Sequence, residues 1–269
     1  MNLVYEKVGH VAKIGLNRPK QLNALDPGIL LELHKTWIDI NEDANIRVAV
    51  LYSALPGIFC AGMDLKTAIP ILTGARAPEN EAEKWIACGW DGCGVGEAML
   101  KMSFVNKPVI AAIHGYCLTG GFAMVIGADL RVASDDAIFQ MREASLGIMP
   151  TGGGNVFLPR HVGTCRALEI LLTAGNFDAK TMYEWGFLNR VVPKDKLMKT
   201  AMELAEQIAA NGPLANQGII RFNRELRMRE IKALFIREVE IVMPIFYSEE
   251  AREGGTAQKN NKRPDFPGR

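Results

Sequence analysis

Residues 108–129 read PVIAAIHGYCLTGGFAMVIGAD, and the fold turns on how this stretch is parsed. Pro108 to Gly115 is an apolar, β-branched-rich run ending in a turn residue, the signature of a buried strand. After Gly115 the chain enters an apolar helix at Gly120 and Gly121. A helix start leaves backbone N–H groups without intrahelical partners, and its dipole favours negative charge. A backbone amide there can therefore meet an oxyanion. The same glycines would equally serve close packing of the helix against another segment, and the residues alone leave both readings open.

Working outward, Val11 to Leu16 and Arg47 to Tyr52 are two further short strands between turn residues. Between them, Pro27 to Asn41 predicts a helix, with Pro27 in its first turn and Leu30, Leu31, Leu33 and Trp37 as its apolar stripe. Strands alternating with helices predict an α/β fold with a mostly parallel sheet. From about Lys196 the character changes to amphipathic helix, so residues 1–195 are assigned to an α/β core and 196–269 to a helical C-terminal region. Phe235, Ile236, Ile241, Val242, Ile245 and Phe246 on that region would cap the core or pack on another subunit. Residues 67–102 carry Gly89, Gly92, Gly94 and Gly96 around Trp85 and Trp90, which predicts a mobile or substrate-contacting loop.

The chain has 269 residues, enough for a large core, and a net charge of +1, which gives no reason to expect a nucleic-acid surface. Its N-terminus shows no signal pattern and no apolar run reaches membrane-spanning length, so a cytoplasmic protein that does not engage a membrane is expected. The five cysteines lack a CxxC pair and are read as free thiols. His10, His34, His114 and His161 have no metal-ligand spacing, and nothing calls for a metal.

Two further stretches carry chemistry. In GIFCAGMDLK, residues 57–66, small residues at Ala61 and Gly62 let a ligand approach the main chain, although a tight strand-to-helix turn would look the same. In IFQMREASLGIMPTGGG, residues 138–154, Glu143 stands among Phe139, Met141, Leu146, Ile148 and Met149. Apolar company raises a carboxyl pKa and suits it to proton transfer; pairing with Arg142 is the bland alternative. The chain contains no GxSxG, HExxH or GxxxxGK[ST] motif.

Taken in order, NRPKQLNAL, GIFCAGMDLK, KPVIAAIHGYCLTGGFAMVIGADLRVAS, FQMREASLGIMPTGGG and WGFLNRVVP closely resemble the crotonase family, the enoyl-CoA hydratase and isomerase superfamily. The resemblance runs from about residue 3 to the tail RPDF. It implies a spiral of ββα units with a helical C-terminal region that assembles a homotrimer or a dimer of trimers. It also implies an acyl-CoA thioester substrate whose coenzyme A is part of the substrate, with no separate cofactor.

By the same resemblance the thioester oxygen is held by the backbone amides of Ala61 and Gly120, and Glu143 transfers the proton. Substrate contacts are implied at Lys20, Leu22, Ala24 and Leu25, with Lys20 near the CoA phosphates. Further contacts are implied at Met63, Asp64, Leu65, Gly121, Ala123 and Thr151, and basic tail residues Lys259 and Lys262 are candidates for CoA. The chain departs from the family pattern at Ala123, where hydratases commonly carry a first glutamate, and at Thr151, where some isomerases carry an aspartate. A single carboxylate fits double-bond isomerisation, or hydration with the water oriented by another group. A thioester hydrolase, a C–C lyase and a non-catalytic acyl-CoA binder are alternatives on the same scaffold.

Overall fold

A computed structural model describes residues 2–87, 94–101, 104–260 and 262–268. The chain opens with a hairpin, β1 (Leu3–Val8) and β2 (Val11–Leu16), followed by helix α1 (Pro27–Glu42). Asp26 caps that helix by accepting the Ile29 N–H at 2.8 Å, and Pro27 needs no such partner. Ile29, Leu30, Leu33, Trp37 and Ile40 form its buried stripe.

A three-part pattern then repeats. A strand joins a large sheet, the next strand joins a small sheet, and helix follows. The first unit is β3 (Val48–Ser53), β4 (Ile58–Cys60) and the short helices α2 (Ile69–Leu72), α3 (Glu81–Ile86) and α4 (Val95–Ala98). The second is β5 (Val109–Ile113), β6 (Tyr116–Leu118) and α5 (Gly120–Gly127). The third is β7 (Leu130–Ser134), β8 (Ile138–Gln140), a 3-10 turn at Glu143–Leu146 and α6 (Gly154–Val162). Then come α7 (Thr164–Thr173), β9 (Phe177–Asp178), α8 (Ala179–Glu184) and β10 (Arg190–Val192). The large sheet has the order β1-β2-β3-β5-β7-β10 and the small one β4-β6-β8-β9. The units thus wind into the spiral of ββα units that the resemblance implied.

All five residues of β5 are buried, which explains its unbroken apolar run: both faces of a central parallel strand are covered. Val109, Ala111 and Ile113 belong to the main core cluster, which also holds residues of α1 and α5. The opposite face is covered by α9 (Leu197–Ala209), whose Ala201, Ala205 and Ala209 lie on Val48, Val50, Ile110 and Val132. Helix α5 is buried at every position, so it has no polar face to show.

Helices α10 (Pro213–Phe246) and α11 (Glu249–Lys259) close the chain. The apolar residues expected there divide: Phe235 and Val242 are buried, whereas Ile236 and Ile241 are exposed. Arg224 ties α10 to the core through an ion pair with Asp129 at 2.5 Å. Helix α11 lies on the Glu143–Leu146 turn so closely that a Cβ at Gly254 would come within 2.0 Å of the Leu146 carbonyl oxygen. An alanine in a helix ordinarily gains about 1 kcal/mol over glycine. Here overpacking against backbone, typically about 1–3 kcal/mol, outweighs that gain. Gly254→Ala is therefore expected to lower the thermal midpoint and, by displacing the turn that carries Glu143, the turnover rate; an unchanged midpoint and rate would contradict the close contact.

Among the described residues no helix is long and apolar enough to cross a membrane. Among the same residues no cluster of His, Cys, Asp or Glu is arranged to hold a metal ion.

Candidate active site

Two loops far apart in sequence are stitched together at the edge of α5. Arg18 donates to the Asp64 carboxylate and to the Ala24 carbonyl at 2.9 and 2.7 Å, and it pairs with Asp26 at 2.9 Å. Leu25 N–H donates to Gly62 O at 2.7 Å, and Asp64 N–H to Leu25 O at 3.0 Å. Asn23, fully buried in the left-handed region at φ 57°, donates to Ser53 Oγ and Phe59 O. The loop around residues 60–64 is thereby fixed before any ligand arrives.

Thr119 precedes α5 with φ 44° and ψ −114°, a region that costs a non-glycine residue about 1–3 kcal/mol. It is held there by its own N–H on Gln140 O at 2.7 Å and by Ala123 N–H on its carbonyl at 2.8 Å. The two glycine turns interlock around it. A Cβ at Gly62 would sit 1.7 Å from Thr119 Oγ1, and one at Gly120 would sit 3.0 Å from the Met63 nitrogen. A Cβ at Gly121 would collide with Cys60 at 2.6 Å. Close packing of chain on chain is thus the immediate reason for these glycines, and Gly121 packs on Cys60.

The same geometry corrects the choice of Ala61 as a donor. Its N–H donates to Leu22 O at 3.0 Å and is spent on holding the two loops together. Two residues on, the Met63 N–H has no acceptor among the described residues and lies beside Gly120, whose own N–H belongs to the unpartnered first turn of α5.

Next to these amides is a cavity of about 60 Å³ bordered by Met63, Thr119, Gly120, Ala123, Glu143 and Thr151. Leu65, Leu146, Ile148 and Met149 supply apolar wall, and Phe246 reaches in from the end of α10. Glu143 is half-buried as a residue, but its Oε2 is enclosed and has no hydrogen-bond partner. Burial pushes its pKa from the ordinary 4.5 up to about 7, with its own backbone N–H and neighbouring Arg142 lowering it slightly. Among the described residues no ion pair engages its carboxylate, so pairing with Arg142 does not describe it.

Of the residues singled out in the sequence, Met63, Leu65, Gly120, Ala123, Glu143 and Thr151 meet at this cavity. Others lie elsewhere. Asp64 is engaged by Arg18 and caps the turn at Lys66 and Thr67, Leu25 is core, and Ala24 is half-buried with its carbonyl on Arg18. Lys20 and Leu22 are exposed on the outer side of the stitched loop. Trp85 packs against the core beside His34, Lys262 is exposed, and Trp90, Gly89, Gly92 and the Lys259 side chain lie outside the described residues. Thr119, Met99 and Phe246 were not anticipated. Thr119 had a local signal in its place before Gly120; Phe246, more than a hundred residues downstream, had none.

The arrangement puts two neighbouring backbone donors and one carboxyl of raised pKa on the border of a single apolar cavity. It can stabilise a developing oxyanion and move a proton next to it.

The chain is similar to known proteins over nearly its whole length. The family described as Enoyl-CoA hydratase/isomerase matches residues 6–269. Enoyl-CoA hydratase EchA19 of Mycobacterium tuberculosis (strain ATCC 25618 / H37Rv) is 35% identical over 98% of this chain and 96% of its own length. Carnitinyl-CoA dehydratase of Proteus mirabilis (strain HI4320) is 36% identical over 97% and 96% of the two chains. The crystal structure of an enoyl-CoA hydratase/isomerase from Pseudoalteromonas atlantica T6c superposes with a TM-score of 0.85 at 25% identity, covering 99% of this chain and 100% of that one.

Proposed function

The chain belongs to the enoyl-CoA hydratase/isomerase family, and from that premise we propose that it adds water reversibly across the double bond of an enoyl-CoA, with Glu143 as its one acid–base group. The observation that carries this reading is the enclosed, unpartnered Glu143 carboxyl facing the same cavity as the Met63 and Gly120 amides. In the proposed step the carboxylate takes a proton from water as the water oxygen bonds to C3. The double-bond electron pair moves through C2 to the thioester oxygen, where the two N–H groups receive the charge. Protonated Glu143 then gives that proton to C2, which restores the thioester carbonyl and the carboxylate. One group acting twice delivers both the hydrogen and the hydroxyl to the same face.

Coenzyme A is assigned to the outer side of the 20–25 segment, where the exposed Lys20 would meet its phosphates. The exposed apolar residues of α10, Leu214, Phe222 and Leu226 among them, are assigned to contact with further copies in a homotrimer or a dimer of trimers. Light scattering that returns the mass of a single chain would contradict this.

Ala123 supports a second reading, in which Glu143 carries a proton between C2 and C4 and the bond migrates. The test separates the two. Purified protein is given 2-enoyl and 3-enoyl thioesters, and products are identified by mass: gain of one water supports hydration, an isomer alone supports migration. Because Ala123 borders the same cavity as Glu143, Ala123→Glu supplies the water-orienting group that is missing and is expected to raise hydration at least tenfold. An unchanged hydration rate in a folded variant that binds CoA esters would count against this account of position 123.

A further inference from the structure

Hydration needs a water held at C3, and in a mainly apolar cavity a water stays only where it finds two or more polar partners. The cavity at Glu143, about 60 Å³, is large enough to hold one. Among its lining residues three side chains carry oxygen: Thr119, Glu143 and Thr151. Ala123 contributes only a methyl group.

Thr119 is taken up by the glycine turns. Its Oγ1 faces the Ala61 carbonyl at 3.5 Å and leaves no room for a Cβ at Gly62, so this hydroxyl is part of the packing around the two amides. Thr151 is the opposite case. It is partly buried on the cavity border, and its hydroxyl has no hydrogen-bond partner among the described residues. Its backbone is held nonetheless. On one flank the Asn155 side chain donates to Pro150 O at 2.7 Å, and on the other the Gly153 N–H donates to the Glu238 carboxylate at 3.2 Å. Asn155 also donates to Glu238, at 3.1 Å, so one buried carboxylate of α10 fixes the whole 150–155 turn. A free hydroxyl on a fixed backbone is a binding group organised before its ligand arrives.

We infer that the Thr151 hydroxyl is the second partner of the attacking water, holding it against Glu143 in place of the carboxylate that position 123 lacks. The inference rests on the proposed hydration. A threonine oxygen offers two lone pairs besides its own hydrogen. One water hydrogen is directed at Glu143 and the other at Thr151 Oγ1, which leaves a water lone pair for C3. As the oxygen–C3 bond forms, the first hydrogen passes to Glu143 as a proton and the second stays on the product hydroxyl. Thr151 neither gains nor loses a proton.

The test uses whichever of crotonyl-, 2-octenoyl- and cinnamoyl-CoA the wild type hydrates fastest. Thr151→Val keeps the shape of the side chain, removes the hydroxyl and breaks no hydrogen bond within the protein. It is expected to lower kcat for hydration by about 10²-fold, the loss that a misplaced reactant brings. KM should change little, since the thioester itself is bound as before. Thr151→Ser retains the oxygen and is expected to recover most of the loss. A second reaction separates this role from a structural one. Exchange of the C2 hydrogens of the saturated counterpart thioester for solvent deuterium, followed by mass, uses Glu143 and the two amides but no water at C3. In Thr151→Val the loss should be confined to hydration. Unchanged hydration in Thr151→Val, equal losses in the valine and serine variants, or exchange falling in step with hydration overturns the role of Thr151 and leaves the proposed function standing. A wild type that adds water to none of the three thioesters, or Glu143→Gln hydrating at the wild-type rate, overturns the proposed function, and the role of Thr151 with it.

Discussion

Glu143→Gln is expected to lower kcat by about 10²–10⁴-fold on whichever enoyl-CoA the wild type turns over, the range that positioned acid–base groups supply. The amide keeps the shape of the carboxyl and removes only its capacity to accept and return a proton. Because the base must be ionised and its pKa lies at about 7, kcat/KM of the wild type should climb with pH below that value and level off above it. A plateau already reached near the ordinary carboxyl range would mean that the group is solvated during turnover.

The same burial predicts an opposite effect on stability. Between the ordinary 4.5 and about 7, the folded chain still holds the Glu143 proton that the unfolded chain has released, so stability falls as pH rises through this window. The cost of ionising the enclosed carboxyl is about 3 kcal/mol and is complete above pH 7. The glutamine side chain does not titrate, so the Glu143→Gln variant should match the wild type near pH 4 and exceed it by up to about 3 kcal/mol near pH 8. Urea unfolding at the two pH values measures this; curves that shift in parallel would place the carboxyl in water.

The second large effect concerns the amides. Replacing the Gly120 residue by glycolic acid, or Met63 by its α-hydroxy analogue, turns one N–H into an ester oxygen with almost no change of shape. Each replacement is expected to lower kcat by about 10²–10³-fold, the loss that follows removal of one donor to a developing oxyanion. The equivalent ester at Ala61 removes a bond to Leu22 O instead, and should cost about 1 kcal/mol of stability while kcat stays within a fewfold of wild type. Equal losses at Ala61 and Met63 would return Ala61 to the oxyanion site. The comparison works because the three positions share backbone chemistry and differ only in what their N–H groups face.

Much of the fold was legible because its signals are short-range. The apolar run at residues 108–113, the cap and stripe of the first helix, and the glycine turns before residues 63 and 120 each depend on residues a few positions apart. The repeating ββα unit was visible only through family resemblance, since strand and helix recur in space without any repeat in the residues that build them.

The candidate site was legible in part for the same reason. Apolar neighbours marked Glu143 as a carboxyl of raised pKa, whereas the absence of a glutamate at Ala123 was visible only against the family pattern that the resemblance implied. Phe246 in the cavity wall comes from the end of α10 folding back on the site, which no local pattern announces.

The sequence by itself determined that two glycine-bearing turns and one apolar-flanked carboxylate exist in this chain, because residue type and near neighbours decide backbone freedom and ionisation tendency. Which amide of the first turn is available was decided by tertiary structure alone. Ala61 and Met63 carry identical N–H groups two residues apart, and only the pairing of their loop with the segment at Leu22 uses up one and leaves the other facing Gly120.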